Sequence, residues 1–206
     1  MKIIKLLPIV LCFILIAGVS CTENTQEKNN HKLQVELFRK QKDEGYKIPE
    51  KTMLTEELMK DFVGLKYFPI DYKYKLKAQL IKLEDLPKIE IKTSTGKILN
   101  YVIYGKLKFN IESNPYELSI YQSSRLIGSN KKKGVLFVPF TDSTSGEETY
   151  GGGRYLVLDI PEGNEIDVDF NMAYNPFCVY DPEHSCPIPP AENHLPVKIP
   201  VGEMMY

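Results

Sequence analysis

Residues 72–82 read YKYKLKAQLIK, a segment in which aromatic or apolar residues alternate with mostly lysine or glutamine. A two-residue period is typical of a β-strand with one buried face and one solvated face. The chain therefore changes at Tyr72 from a helical prefix to a series of strands.

Further strand patterns follow at short spacing. Residues 88–93 and 99–109 flank Ser94-Thr95-Gly96-Lys97, a hairpin signal with glycine in the turn. The remaining strand patterns are residues 116–121, 135–140, 155–160 and 166–170, the last two separated by the turn 161–164. Some seven strands without a long helix between them predict a mainly β domain, an antiparallel sandwich or a barrel-like sheet.

Residues 32–64 predict a short helical prefix to this sheet. Residues 32–46 have an amphipathic pattern that ends at Gly45, and Thr55 is a good N-cap for a second short helix that stops near Gly64. Both helices are interpreted as packing elements.

The C-terminal part has a different composition. Residues 175–200 contain seven prolines, and proline at this density excludes a helix or an interior strand. We therefore expect an extended Pro-rich tail laid across the domain and pinned by Cys178 and Cys186.

Cys178 and Cys186 are expected to form a disulfide, because an even pair in an exported chain is most often bonded. A bridge over so short a loop would stabilise the domain by about 2–3 kcal/mol. The alternative is a metal site of Cys178, His184 and Cys186, although its fourth ligand is missing. No metal and no cofactor is predicted.

The first 20 residues have the composition of a signal peptide. Lys2 and Lys5 precede the apolar run 6–17, which is too short for a membrane span, and Gly18-Val19-Ser20 leads into Cys21. A small residue directly before a cysteine is what a lipoprotein signal peptidase requires. The sequence thus predicts acylation of Cys21, with palmitate among the possible acyl groups; ordinary secretion is the alternative.

This reading divides the chain into a signal peptide (1–20), a flexible tether (21–31) and a single domain (32–206). The tether is expected because residues 22–31 contain no apolar residue that could be buried. The expected location is the cell envelope, with the protein anchored to the membrane and facing the periplasm or the exterior.

The charge of the chain does not favour a nucleic-acid partner. It has 26 basic and 27 acidic residues, and loss of Lys2 and Lys5 with the signal peptide would make it slightly more acidic. Lys131-Lys132-Lys133, between two glycines, is interpreted as a solvated turn.

Arginine use gives the first indication of a site. Only Arg39, Arg125 and Arg154 are arginines, and Arg154 follows three glycines. A position that needs arginine in a lysine-rich chain needs a planar donor fork for a carboxylate or phosphate. Asp142 and Asp169 are natural partners, so Arg154 is either a brace inside the fold or an anion-binding group in a pocket.

Polar and rigid residues are concentrated between residues 140 and 193, which makes this the part of the chain that most resembles a site. The leading hypothesis is a pocket for a small polar or anionic ligand, built from Asp142, Tyr150, Arg154, Asp169, Asn171, Tyr174 and Asn175. One alternative is a hydrolase in which Asp142 or Asp169 is the general base and Arg154 stabilises negative charge. The other is a structural or protein-interaction module of the envelope.

The chain, and most specifically this region, resembles a bacterial and archaeal domain of unknown function, number 1684. The similarity covers about residues 33–203. The strings that carry it are Tyr67-Phe68-Pro69 with Asp71, Thr93-Ser94-Thr95-Gly96, Tyr104-Gly105, residues 137–142, residues 149–156, Asp169-Phe170-Asn171, residues 173–176, Cys178, Tyr180, Cys186-Pro187, Pro189-Pro190, Asn193 and Gly202-Glu203. The resemblance implies a domain of this length and supplies no established activity.

Overall fold

The computed structural model describes residues 17–50, 52–125, 127 and 134–206, with the side chains of the first helix described from residue 25 onward. Most of the expected signal peptide lies outside these residues, as does the side chain of Cys21. No helix of the described part combines the length and apolar character that a membrane span requires.

The helical prefix contains two helices, α1 (Ala17–Tyr46) and α2 (Glu56–Lys60). Thr55 caps α2 as expected, because its side-chain oxygen accepts a hydrogen bond from the Leu58 amide at 3.3 Å. Helix α1 ends one residue after Gly45 but begins well before residue 32. The tether expected over residues 21–31 is instead part of α1.

The seven predicted strands are all present, each within a few residues of its expected bounds. An eighth, short strand in the tail was not predicted. The strands are β1 (Lys75–Lys82), β2 (Lys88–Lys92), β3 (Ile98–Ile111), β4 (Asn114–Ser123), β5 (Val135–Asp142), β6 (Arg154–Asp159), β7 (Glu165–Asp169) and β8 (His194–Leu195).

The strands form one sheet in the order β6-β5-β4-β3-β1-β7, with β2 paired to β3 and β8 paired to β5. All pairs are antiparallel except β5 with β8. The sheet curls into a half-barrel, so of the two expected architectures the barrel-like one is confirmed. Its concave face holds the core, in which Leu107, Leu118, Ile120, Leu136 and Val138 have no exposed surface.

Gly105 marks the place where β3 bends. The register between β3 and β4 shifts there, and a Cβ at residue 105 would lie 2.4 Å from the Ile81 carbonyl oxygen. Glycine thus lets the backbone of β1 approach β3 closely, which a side chain would prevent.

Asn193 holds the tail against the sheet where β4 and β5 are joined by a single Cα pair, Tyr121 with Phe137. Its buried side chain accepts a hydrogen bond from the Ser119 amide (2.8 Å) and donates to the carbonyl oxygens of Ser119 (2.8 Å) and Pro139 (2.7 Å). The amide of Asn193 therefore replaces part of the missing ladder, and the tail becomes a structural part of the sheet.

Helix α1 packs against the open side of the half-barrel through a stripe of mainly polar residues. His31, only 2% exposed, lies with Nε2 2.7 Å from the Asp169 carboxylate and meets the edge of the Tyr72 ring. One turn further Val35 is fully buried, and Arg39 Nη1 donates to the Phe68 carbonyl oxygen at 2.9 Å. The partner of His31 explains why the segment before residue 32 is ordered as helix.

Candidate ligand-binding site

Arg154 lies at the start of β6 with no exposed surface. Its guanidinium donates to the carbonyl oxygens of Ile199 (2.9 Å) and Val201, and Nη2 is 3.4 Å from the Asp142 carboxylate. Burial lowers the pKa of Arg154, and Asp142 opposes this shift. Arg154 thus braces the tail from inside the protein, and the expected ligand pocket around it is not what the geometry supports.

Asp142 is equally enclosed. Its carboxylate accepts hydrogen bonds from the Thr144 hydroxyl (2.8 Å) and the Ile199 amide (2.7 Å) in addition to the arginine. With its acceptors engaged by protein donors and its side chain fully buried, Asp142 is not placed to act as a general base.

Asn175 belongs to a second buried cluster around Glu203, a carboxylate without exposed surface. Glu203 accepts hydrogen bonds from the backbone amide of Asn175 (2.7 Å), the Tyr180 hydroxyl (3.0 Å) and the Lys42 ammonium of α1. Burial lowers the pKa of Lys42, and the neighbouring Glu203 carboxylate offsets only part of this shift. In the sequence, Gly202-Glu203 in the family resemblance is the one signal that points to this residue.

Asp169 and Asn171 form a third cluster, near the N-terminal half of α1. Asp169 Oδ1 accepts hydrogen bonds from the backbone amide (3.0 Å) and the side-chain amide (2.8 Å) of Asn171, and its other oxygen faces His31. The Asn171 side chain also pairs with both backbone groups of Asp71 at 2.9 Å. This is mainly turn chemistry combined with helix docking.

Tyr150 lies apart from these clusters, beside the two cysteines. Its pKa is raised, first by burial and then by its contact with Cys178. The two cysteines are neighbours and are not bonded to each other in this structure, and the backbone amide of Cys178 donates to Cys186 Sγ at 3.1 Å. Burial raises the pKa of Cys186 to about 11. The disulfide stays a prediction, for which the two residues are suitably close.

The metal alternative does not hold for the described residues, among which no group of three His, Cys, Asp or Glu side chains could hold an ion. His184 instead lies with Nδ1 3.2 Å from the carboxylate of Asp181.

The seven candidate residues therefore do not line a single pocket, but Asp169 and Tyr174 both line a cleft between β6 and β7. These strands are the two ends of the sheet order and are not paired with each other along their described lengths. The cleft has a volume of about 550 Å³, within the range of small-molecule sites. We call it the β6–β7 cleft; it is lined by Gln34, Phe38, Lys75, Lys77, residues 156–159, Pro161, residues 165–167, Asp169, Met172 and Tyr174.

Both ends of the β6–β7 cleft are closed by the chain itself. At one end Tyr155 and Tyr174 exchange two backbone hydrogen bonds of 2.8 and 3.1 Å, and at the other residues 160–164 connect the strands. Four strand residues lie between these limits, a length of about 13 Å. The cleft thus fits a short ligand better than a β-strand of another chain, which would have to extend beyond both closed ends.

The walls of the cleft combine apolar and charged groups. Phe38, Leu158 and Met172 are half-buried, and the last two pack on the core. At the rim Lys77 is 2.7 Å from Asp167 and 3.7 Å from Glu165. Burial raises the pKa of Tyr174 to about 12.

A larger groove of about 1070 Å³ is lined by residues of β1, β3, β4 and the turn before β7, but it contains none of the seven candidate residues. Its charged residues pair with one another, since Glu117 lies 3.8 Å from Lys108 and Glu165 lies 3.7 Å from Lys77. We therefore place the candidate site in the β6–β7 cleft.

Sequence reasoning missed the residues that give this cleft its shape. Phe38 and Leu158 follow ordinary helix and strand patterns, and no local signal shows that β6 and β7, which are consecutive along the chain, remain unpaired. The polar neighbours of His31 predict a tether, and no local signal shows that this side chain is buried.

Comparison with known proteins places the chain among uncharacterised relatives. Residues 60–204 match the family described as "Protein of unknown function (DUF1684)". A solution NMR structure of an uncharacterized protein from Haloarcula marismortui is 31% identical, with a TM-score of 0.68, and the similarity covers 87% of this chain and 96% of that one. No curated protein matches. The chain therefore belongs to the DUF1684 family.

Proposed function

We propose that this protein is a lipid-anchored envelope protein that binds a small ligand in the β6–β7 cleft. The observation that carries the binding function is the open seam of the half-barrel, where two unpaired strand edges and helix α1 enclose about 550 Å³. Sites of this size at the openings of β-barrels commonly hold small molecules.

The cleft replaces the pocket first expected around Arg154 and keeps two of its seven residues, Asp169 and Tyr174. The hydrolase alternative gains no support, since both oxygens of Asp169 accept hydrogen bonds from protein groups. Within the described part of the chain, the cleft lining also offers no serine, threonine or cysteine as a nucleophile.

Filling the cleft with an indole tests its role in binding. Gln34 lies on the exposed side of α1 and lines the cleft, whereas its neighbour Leu33 is 63% exposed and does not line it. We expect Gln34→Trp to abolish binding of N-phenyl-1-naphthylamine, a neutral dye that fluoresces in apolar surroundings. The control Leu33→Trp should bind the dye like the wild type.

The chain has no native tryptophan, so the indole of each variant also reports its own surroundings. Equal dye binding by Gln34→Trp and the wild type would place the ligand elsewhere. Absence of dye binding in the wild type and of any retained small molecule in native mass spectrometry would contradict the binding function itself.

The lipid anchor is tested separately by metabolic labelling with palmitate. We expect label in the wild type and in Cys12→Ala but not in Cys21→Ala, because Cys21 is the predicted site of acylation and Cys12 lies within the expected signal peptide. Each buried CH₂ of the acyl chain would contribute about 0.8 kcal/mol of membrane affinity. Equal labelling of both cysteine variants would rule the anchor out.

A further inference from the structure

The rim of the β6–β7 cleft carries an excess of negative charge. Its lining includes four carboxylates and two lysines. The carboxylates are Asp159, Glu165, Asp167 and Asp169.

The two lysines do not make the rim attractive to an anion. Lys77 is already neutralised by Asp167 and Glu165, with which it forms ion pairs. Lys75 Nζ is directed toward the ring of Tyr72, 6.0 Å from its centroid. Among the described residues of the lining, Lys75 is thus the one lysine without an ion pair, against four carboxylates, and the balance of charge favours a cationic ligand.

Asp159 is the carboxylate best placed for a ligand. It is exposed at the end of β6 and forms no ion pair with any residue that the structure describes. Asp169, by contrast, is paired with His31 in the wall. The charge available to a ligand thus lies at the Asp159 end of the cleft.

The floor below this rim is apolar. Leu158 and Met172 are half-buried on the core, and Phe38 of α1 belongs to the same lining. An apolar body placed on this floor gains from removal of its surface from water, and a positive group at its end would meet the acidic rim.

We propose that the ligand of the β6–β7 cleft is a small amphiphilic cation, with a short apolar chain on the Leu158–Met172 floor and an ammonium-type group beside Asp159. This inference rests on the proposed binding function and replaces the polar or anionic ligand expected from the sequence. Carboxylates on exposed strand edges also hinder pairing with other chains, so the experiment must separate the two roles.

Three probes that share one octyl chain make this separation: octylamine, octanol and octanoate at pH 7. Their binding is followed by ¹H–¹⁵N chemical-shift changes of residues 156–159 and 165–169. We expect octylamine to bind about fivefold more tightly than octanol, which corresponds to one partly exposed ion pair, and octanoate to bind most weakly.

Asp159→Asn should reduce the preference for octylamine over octanol by about two- to fivefold. Glu90→Gln removes an exposed carboxylate on β2, outside the cleft, and should leave the preference unchanged. Circular dichroism of each variant would show that it is folded.

The outcomes are distinguishable. Equal binding of all three probes in the cleft would support the binding function and overturn the inference, leaving the carboxylates with a role in edge protection. Stronger binding of octanoate would also overturn it. Binding of none of the probes would contradict the proposed function as well.

Discussion

Strand β6 begins in the interior of the protein and ends at the open edge of the sheet, and its two ends differ in nearly every respect. Arg154 at the first end is fully buried and donates to backbone carbonyls of the tail. Asp159 at the other end is exposed, beside a cleft with an apolar floor. At Arg154 the unusual choice of arginine meets a structural need, the bracing of the tail, whereas the candidate site lies where two strand edges have no partner.

The largest effect on stability is expected at the buried end of β6, where Arg154 lies. Arg154→Met should lower the free energy of unfolding by about 3–5 kcal/mol, because it leaves the buried Asp142 carboxylate without its cation. Arg125→Met, at an exposed position, is the control and should change stability by less than about 0.5 kcal/mol. Urea unfolding followed by circular dichroism measures both. Similar stability of the two variants would contradict a structural role for Arg154.

A smaller loss of unfolding free energy is expected at Asn193, which joins the tail to β4 and β5 near the buried end of β6. Asn193→Ala leaves three backbone groups of Ser119 and Pro139 without their partner, and each unpaired buried group costs about 1–3 kcal/mol. We expect a total of about 2–4 kcal/mol in urea unfolding, since water can reach part of the gap. Asn100→Ala, on the exposed face of β3, should be nearly neutral.

An intermediate and local effect is expected where α1 meets the cleft. His31→Gln should weaken the contact with Asp169 and cost about 1–2 kcal/mol. Faster hydrogen exchange at residues 25–34 would show that this turn of α1 opens first, while Asn30→Gln, at an exposed neighbour, should not change exchange. Unchanged protection in His31→Gln would mean that other contacts hold the helix.

The smallest effect is expected at the open end of β6. Val157 is 47% exposed, so Val157→Thr should change stability by less than about 0.5 kcal/mol. The same substitution at Val168, fully buried on β7, adds a hydroxyl to the core and should cost about 1–3 kcal/mol. Comparable losses in these two variants would show that the open end is as closely packed as the core.

The periodic parts of the fold could be predicted from the sequence. The alternation of residues 72–82, the glycine turn after Thr93 and the cap at Thr55 are local signals, and each determines one local element. The brace interpretation of Arg154 was also available, because arginine geometry limits its possible partners.

The site could not be predicted in the same way, because it depends on what the chain brings together over long distances. His31 is separated from Asp169 by 138 residues, and Lys42 from Glu203 by 161. The amphipathic pattern of residues 32–46 does not reveal this polar docking, because Leu33 and Leu37 of that pattern are exposed. The cleft itself arises because the curled sheet stops short of closure, a property of the whole sheet and of no single segment.

The continuous helix from Cys21 to His31 changes how this domain would sit at a membrane. Ten helical residues span about 15 Å, and His31 is already fixed to the domain. An acyl group on Cys21 would therefore act at the end of a short rod and not at the end of a loose chain. Asp169 both holds His31 and lines the cleft. The distance between the domain and the membrane and the direction in which the cleft opens would therefore be set by the same contact.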